Sequence, residues 1–199
     1  MPESRVPPVS TLRARRRVET MALIEAAAAD LFEAQGYEQT TVEQIADRAG
    51  ISMRTFYRHC ASKDGTLVGE LADGPATFIR HLAAHLPGPL LAAVVDGFVE
   101  SIAVEPEMRR RLTRIIVQTP ALRASWLAAG RQAQDDLVEL FQRERPDLGA
   151  LAVRGLAAAT IAALTVAVES WAIGESPSAR EAAAEALSTI APALARPMP

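Results

Sequence analysis

Residues 40–59 decide how this chain folds: Thr40-Thr41-Val42-Glu43-Gln44-Ile45-Ala46-Asp47-Arg48-Ala49-Gly50-Ile51-Ser52-Met53-Arg54-Thr55-Phe56-Tyr57-Arg58-His59. The stretch reads as two short helices joined by a tight glycine turn. Thr41 is an N-cap, and Gln44 three residues on completes a capping box. Val42, Ile45 and Ala49 recur at helical spacing and mark a buried face, while Ala46 is small enough for a second helix to approach. Gly50 suits a left-handed backbone, and Ser52 caps the next helix. In that second helix Phe56 and Cys60, four apart, can face inward. Met53, Arg54, Thr55, Tyr57, Arg58 and His59 are then left outside, a set rich in hydrogen-bond donors and without an acid. Such a face fits a DNA major groove, its N-terminal residues nearest the bases. The alternative is a solvated surface helix in some other helical protein.

The pattern extends on both sides. Ala34-Gln35-Gly36-Tyr37, Thr40-Thr41, Ile45-Ala46, Ala49-Gly50-Ile51-Ser52, Thr55-Phe56-Tyr57-Arg58-His59 and Ser62-Lys63 lie within a run from about residue 19 to 67. That run, about a quarter of the chain, resembles the N-terminal DNA-binding domain of TetR-family transcriptional regulators. Cys60 stands where the family usually has Phe, and Gly65 where a helix former is common; both bear on packing. The stretch from Glu105 to Trp171 is loosely similar to the C-terminal class associated with acyl-CoA-like ligands.

The resemblance implies a homodimer that binds a palindromic double-stranded DNA operator and is released by a small-molecule effector, most members being repressors. Carried over residue by residue, it assigns Met53, Arg54 and Tyr57 to base or near-base contacts, and Thr41, Thr55, Arg58, His59 and Lys63 to phosphates, with Ser52 beside them. Met53 departs from the polar residue often found there and can make only apolar contacts, for example to a thymine methyl.

The composition agrees with an all-α fold of about nine helices. The chain has 199 residues, 49% of them apolar, with Ala and Leu dominant and helical periodicity nearly throughout. Three parts are expected: a disordered leader over 1–12, a helix-turn-helix head with a basic arm over 13–65, and a helical effector-binding and dimerisation domain over 66–199. The net charge of −3 lies in the last part; residues 1–65 balance nine basic against nine acidic side chains, whereas the remainder carries twelve against fifteen. Arg13, Arg15, Arg16 and Arg17 precede the first helix. Either they are a solvated helix start, or they form an arm that contacts phosphates or enters the minor groove.

The first helix is expected over about 18–35, with Leu23, Ile24, Ala27 and Leu31 inward, and is stopped by Gly36. The fourth begins near Lys63 and is expected to kink or break near Ala72–Pro75. Further helices are expected over about 90–104, from Pro106, 120–145, 148–173 and 179–194, the last opened by a Ser178–Glu181 capping box. The helix over 148–173 is apolar nearly all round, so a partner subunit is the economical cover for it. Its expected interface residues are Ala159, Ala163 and Ala167, with Leu187 from the last helix. Phe78, Phe98, Ile102, Leu112, Ile116 and Trp126 are bulky and apolar, and are expected to line an effector pocket; ordinary core is the alternative. Arg109, Arg110, Arg111 and Arg114 are either a solvated face or an anion site.

Other chemistries find little support. One cysteine excludes an internal disulfide and Cys-based zinc patterns, and Cys60 reads as a core filler. No phosphate loop or nucleophile elbow is present. His81 and His85 have metal-ligand spacing but no third ligand nearby in sequence. No catalytic residue, cofactor or metal is expected. The uncharged run from Gly155 to Val168 is too short to span a bilayer, so no membrane partner is expected and a bacterial cytoplasm is the expected compartment. A helical adaptor that retains an unused head is the rival reading; an all-α enzyme has no nucleophile–base pair behind it.

Overall fold

The computed structural model describes residues 9–86 and 88–195. Among them ten helices form and no strand: α1 (Val9–Gln35), α2 (Val42–Arg48), α3 (Met53–His59), α4 (Gly65–Ala84), α5 (Leu90–Ser101), α6 (Pro106–Gln118), α7 (Pro120–Glu144), α8 (Ala150–Ile173), α9 (Ala179–Leu187) and α10 (Ala191–Leu194). They fall into two compact units, one ending at Gly69 and the other beginning at Glu70. The division lies inside α4, later than the expected boundary at 65.

In the first unit α1, α2 and α3 pack on one another around Ile24, Ala28, Phe32, Ile45, Ala46 and Phe56. The α1 stripe differs from expectation. Leu23 is 55% exposed, and the inward face runs Ile24, Ala28, Phe32 at i, i+4, i+8. Gly36 and Gly50 adopt φ of +83° and +69° with open space around the missing Cβ, so handedness and not room requires glycine there. Helix α1 also starts nine residues earlier than the sequence suggests. Leu12, Arg13, Ala14 and the following arginines are good helix formers and extend the helix outward. The expected leader is therefore helical from Val9 onward; residues 1–8 lie outside those described.

The second unit is a helical bundle around α8. Helices α6, α7 and α9 pack against α8, and α9 also meets α5. Its core joins Phe78 and Leu82 of α4, Val94 and Phe98 of α5, Leu137 and Phe141 of α7, and Val153, Ala157, Leu164, Ala167 and Trp171 of α8. A Cβ on Gly97 would lie 2.6 Å from the Leu82 backbone nitrogen, so glycine there sets how closely α4 and α5 cross. The expected break in α4 does not occur: the helix continues through Pro75 to Ala84. The last expected helix stops at Leu187 and resumes as the short α10, which has Pro192 in its first turn. Ser178 caps α9, accepting from the Glu181 amide at 3.1 Å.

Two corrections concern α8. At 24 residues it is long and apolar enough to cross a bilayer by length and composition, contrary to the shorter uncharged run counted in the sequence. One side of it, however, is buried against α6, α7 and α9, as in a core helix. Among the expected interface residues, Ala167 and Leu187 are 1% and 0% exposed in the single chain, so they belong to its own core; Ala159 and Ala163 are half-buried. The uncovered side of α8 is instead Leu151, Gly155, Ala162, Val166 and Ile173, recurring at i, i+4 and i+7.

Candidate nucleic-acid interface and ligand cavity

Local chemistry builds the α2–α3 unit. The Thr41 amide donates to Gln44 Oε1 at 2.9 Å, and the Gln44 amide to Thr41 Oγ1 at 3.3 Å, the reciprocal capping box. The Thr55 amide donates to Ser52 Oγ at 3.2 Å, and the two hydroxyls lie 3.1 Å apart. The hydroxyls of Thr41, Ser52 and Thr55 thus already serve the helix starts. Arg48 anchors α2 to α1 through Asp30 Oδ2 at 2.6 Å.

On α3, Phe56 and the adjoining Cys60 point into the core, as expected. Burial, and then the nearby Glu25 charge, push the Cys60 thiol up to about 11, which makes it an inert filler. Arg54, Tyr57 and Arg58 are exposed, and Met53, Thr55 and His59 half-exposed. Among the described residues, Arg54 and Arg58 make no hydrogen bond or ion pair. A helix of this size offers its side chains to a groove about 12 Å wide without obstruction.

His59 departs from the role expected of it. Its Nδ1 is buried without a partner, and its pKa is held below the usual histidine value by burial, then by the charges of Arg58 and Arg17. It is a neutral group here, not a cation for a phosphate. The same interaction places Arg17, at the outer end of α1, beside the end of α3. Arg13, Arg15, Arg16 and Arg17 are all exposed on α1. Because they are helical, they are no flexible arm: a helix about 10–12 Å across does not enter a minor groove about 6 Å wide. Phosphates remain within their reach.

Lys63 has a second role that the sequence did not show. Its Nζ donates to the Tyr37 carbonyl at 2.7 Å and lies 3.9 Å from the centre of the Tyr37 ring. The Tyr37 hydroxyl in turn donates to Asp64, and burial together with that bond raises the phenol's pKa. This cluster ties the α3–α4 link to the α1–α2 link.

The second unit contains a cavity of about 500 Å³ between α4, α5, α6, α7 and α8. Phe78, Phe98, Ile102 and Trp126 line it, as expected. Leu112 and Ile116 do not; they are 3% and 0% exposed and fill the core, while Arg109 and Thr113, on the neighbouring ridge of α6, face the cavity. Helix α8 contributes Ile161, Leu164 and Val168, which the sequence reading had left out. The arginine group divides. Arg110 donates to the Trp171 carbonyl at 3.1 Å, satisfying the end of α8. Arg111 and Arg114 have partners of their own. Arg123 of α7 pairs with Glu169 at 2.9 Å on the cavity wall.

His81 and His85 are not a plain surface pair. Glu100 of α5 lies between them, with one oxygen 3.1 Å from His81 Nδ1 and the other 3.0 Å from His85 Nε2. The second approach lacks hydrogen-bond geometry and is a charge contact only. The two rings use different oxygens, and among the described residues no group of three such ligands can hold a metal.

The head and the bundle each match a known family. Residues 24–68 match the model of bacterial regulatory proteins of the tetR family, and residues 86–195 match the MftR C-terminal domain. The chain belongs to the TetR family of transcriptional regulators. It is 33% identical over 150 residues to the HTH-type transcriptional regulator TcmR of Streptomyces glaucescens, covering 69% of this chain and 66% of TcmR. It is 34% identical over 122 residues to MftR of Mycobacterium tuberculosis, covering 55% of this chain and 58% of MftR. The matches thus span less than two thirds of these relatives' lengths. Solved TetR-family folds agree. SmeT, in complex with triclosan, superposes with a TM-score of 0.65 at 19% identity, covering 91% of this chain and 99% of SmeT. NalD of Pseudomonas aeruginosa, the secondary repressor of the MexAB-OprM efflux pump, gives 0.62 at 21%, covering 92% of this chain and 100% of NalD. These identities speak for the fold.

Proposed function

We propose that this TetR-family regulator acts in the cytoplasm as a homodimeric repressor, binds a palindromic operator through α3, and is released by a small molecule in the cavity of its second unit. The observation that carries the reading is the outward face of α3. Arg54, Tyr57 and Arg58 are exposed, and neither arginine is paired within the chain, whereas the capping hydroxyls and Lys63 are satisfied. Unpaired cations on a rigid, capped helix are what a polyanion recognises. The uncovered apolar side of α8 supports the dimer, since an isologous contact would remove it from water. The cavity has the size and mostly apolar walls of a small-molecule site. Gly74 and Pro75 of α4 are part of its wall, and α4 is the helix whose first residues belong to the head unit, so occupancy can be felt along one helix. That SmeT is solved with triclosan and NalD is a repressor accords with this reading.

Operator selected in vitro from random DNA, followed by titrations over its single-base variants at two salt concentrations, tests it. Arg54 sits in the first turn of α3, where a guanidinium can bond guanine O6 and N7 together. Arg54→Ala is expected to cost about 1–3 kcal/mol at one base position per half-site and to relax preference there, as a symmetric pair. A uniform loss with base preference unchanged moves Arg54 to the phosphates; failure to select any sequence removes the operator reading.

A further inference from the structure

Four charged side chains line the cavity, and they do not cancel. Arg123 donates through Nε and Nη2 to Glu169 Oε1, at 3.0 and 2.9 Å, so that pair is neutral by itself. Arg109 and Arg131 remain, and neither makes an ion pair among the described residues. Arg131 stands at the exposed rim. Arg109 is partly buried, and its Nε is shut off from solvent without a hydrogen-bond partner. A buried donor in that state carries an uncompensated desolvation penalty, and native structures rarely leave one without a reason. The remaining walls are apolar: Phe78, Phe98 and Trp126 lie on the α4, α5 and α7 sides.

We propose that this cavity selects amphipathic anions, with an apolar body on the aromatic walls and a carboxylate taken by Arg109. The inference rests on the reading that the cavity is the effector site, and it names the ligand class. An anion satisfies the orphaned Nε and removes one unbalanced positive charge. A neutral ligand leaves the donor unpaired, and a cation adds like charge in a setting of low dielectric, where such pairs count most. Glu169 offers a cation little, because Arg123 already holds it. Arg131 at the rim favours entry of the same sign of ligand.

Decanoate, decanol and decyltrimethylammonium share one apolar chain and differ in head charge. Their binding to the full-length protein, measured by calorimetry and by displacement of the neutral dye Nile red, tests the assignment. Decanoate is expected to bind at least about tenfold more tightly than the other two, the effect of one charged hydrogen bond. Arg109→Gln is expected to weaken decanoate about ten- to a hundredfold while leaving decanol within a few-fold, and Arg109→Lys to restore part of the preference. Equal affinities in the wild type overturn the proposal, as does an Arg109→Gln loss that falls equally on decanoate and decanol. If decanol displaces Nile red and decanoate is not preferred, the effector cavity stands and the anion assignment falls. If neither the dye nor any decyl compound binds, both fall.

Discussion

Replacing Lys63 with methionine keeps most of the apolar stem and removes the charge, which separates two roles that the position combines. In the structure the ammonium donates to the Tyr37 carbonyl at 2.7 Å and stands 3.9 Å from the Tyr37 ring centre. A hydrogen bond from a charged donor contributes about 1.5–3 kcal/mol, and a cation over an aromatic face about 0.5–1 kcal/mol at a partly exposed site. The loss falls below their sum, because the Tyr37 carbonyl also accepts from the Thr40 amide at 3.2 Å and is not orphaned by the substitution. Solvent reaches the half-buried ammonium and reduces it further. The expected loss is about 1–2 kcal/mol of head stability, which raises the population of the opened head about 5–30-fold. Amide hydrogen exchange of peptides spanning residues 41–60 in the full-length protein reads this directly, because the second unit does not enter the signal. Operator titration across salt reads the other role: one lost phosphate contact lowers the salt slope by about 0.9. Unchanged exchange refutes the argument that Lys63 braces the head. Faster exchange with an unchanged slope leaves bracing as its sole role and removes it from the phosphate contacts.

Two further outcomes follow from the same structure. The uncovered side of α8 centres near Ala162, so Ala162→Glu is expected to convert dimers to monomers in sedimentation by placing an unpaired charge in the interface, with helicity unchanged; dimers persisting at micromolar concentration would move the interface elsewhere. The folded pKa of His59 lies below its ordinary 6.5, so the unfolded chain binds a proton that the folded head refuses. Head stability is therefore full above about pH 6.5 and declines as pH falls from there through the lower folded value. His59→Gln should flatten that decline in a pH series of exchange rates, and a wild-type profile flat between pH 7 and 5 would show that His59 is not held neutral.

Local rules were legible along the chain. The Thr41–Gln44 box, the Ser52 cap, the left-handed Gly36 and Gly50 and the inward Phe56 follow from residues within one or two turns of each other, because caps, handedness and helical period are short-range properties. The recognition face was legible for the same reason: once Phe56 is inward, the period leaves Arg54, Tyr57 and Arg58 outside. For the cavity, bulk and apolarity picked out Phe78, Phe98, Ile102 and Trp126, but the same criteria also picked Leu112 and Ile116, which fill the core. Those properties do not distinguish a cavity wall from packed interior.

Tertiary structure alone decided the rest. An alanine-rich helix has little contrast between its faces, so nothing in the order of α8 shows that Ala167 turns inward while Ala162 and Val166 turn out; its packing on α6, α7 and α9 does. The Lys63–Tyr37 brace, the Glu100 carboxylate between His81 and His85, and the neutral state of His59 beside Arg17 all join residues far apart in the chain. Four arginines in α6 look equivalent in sequence. Only the positions of α7 and α8 send Arg110 to the end of α8 and leave Arg109 facing the cavity with a donor unpaired. Charge and hydrogen-bonding capacity belong to a residue, but whether they are satisfied depends on what the fold places beside it.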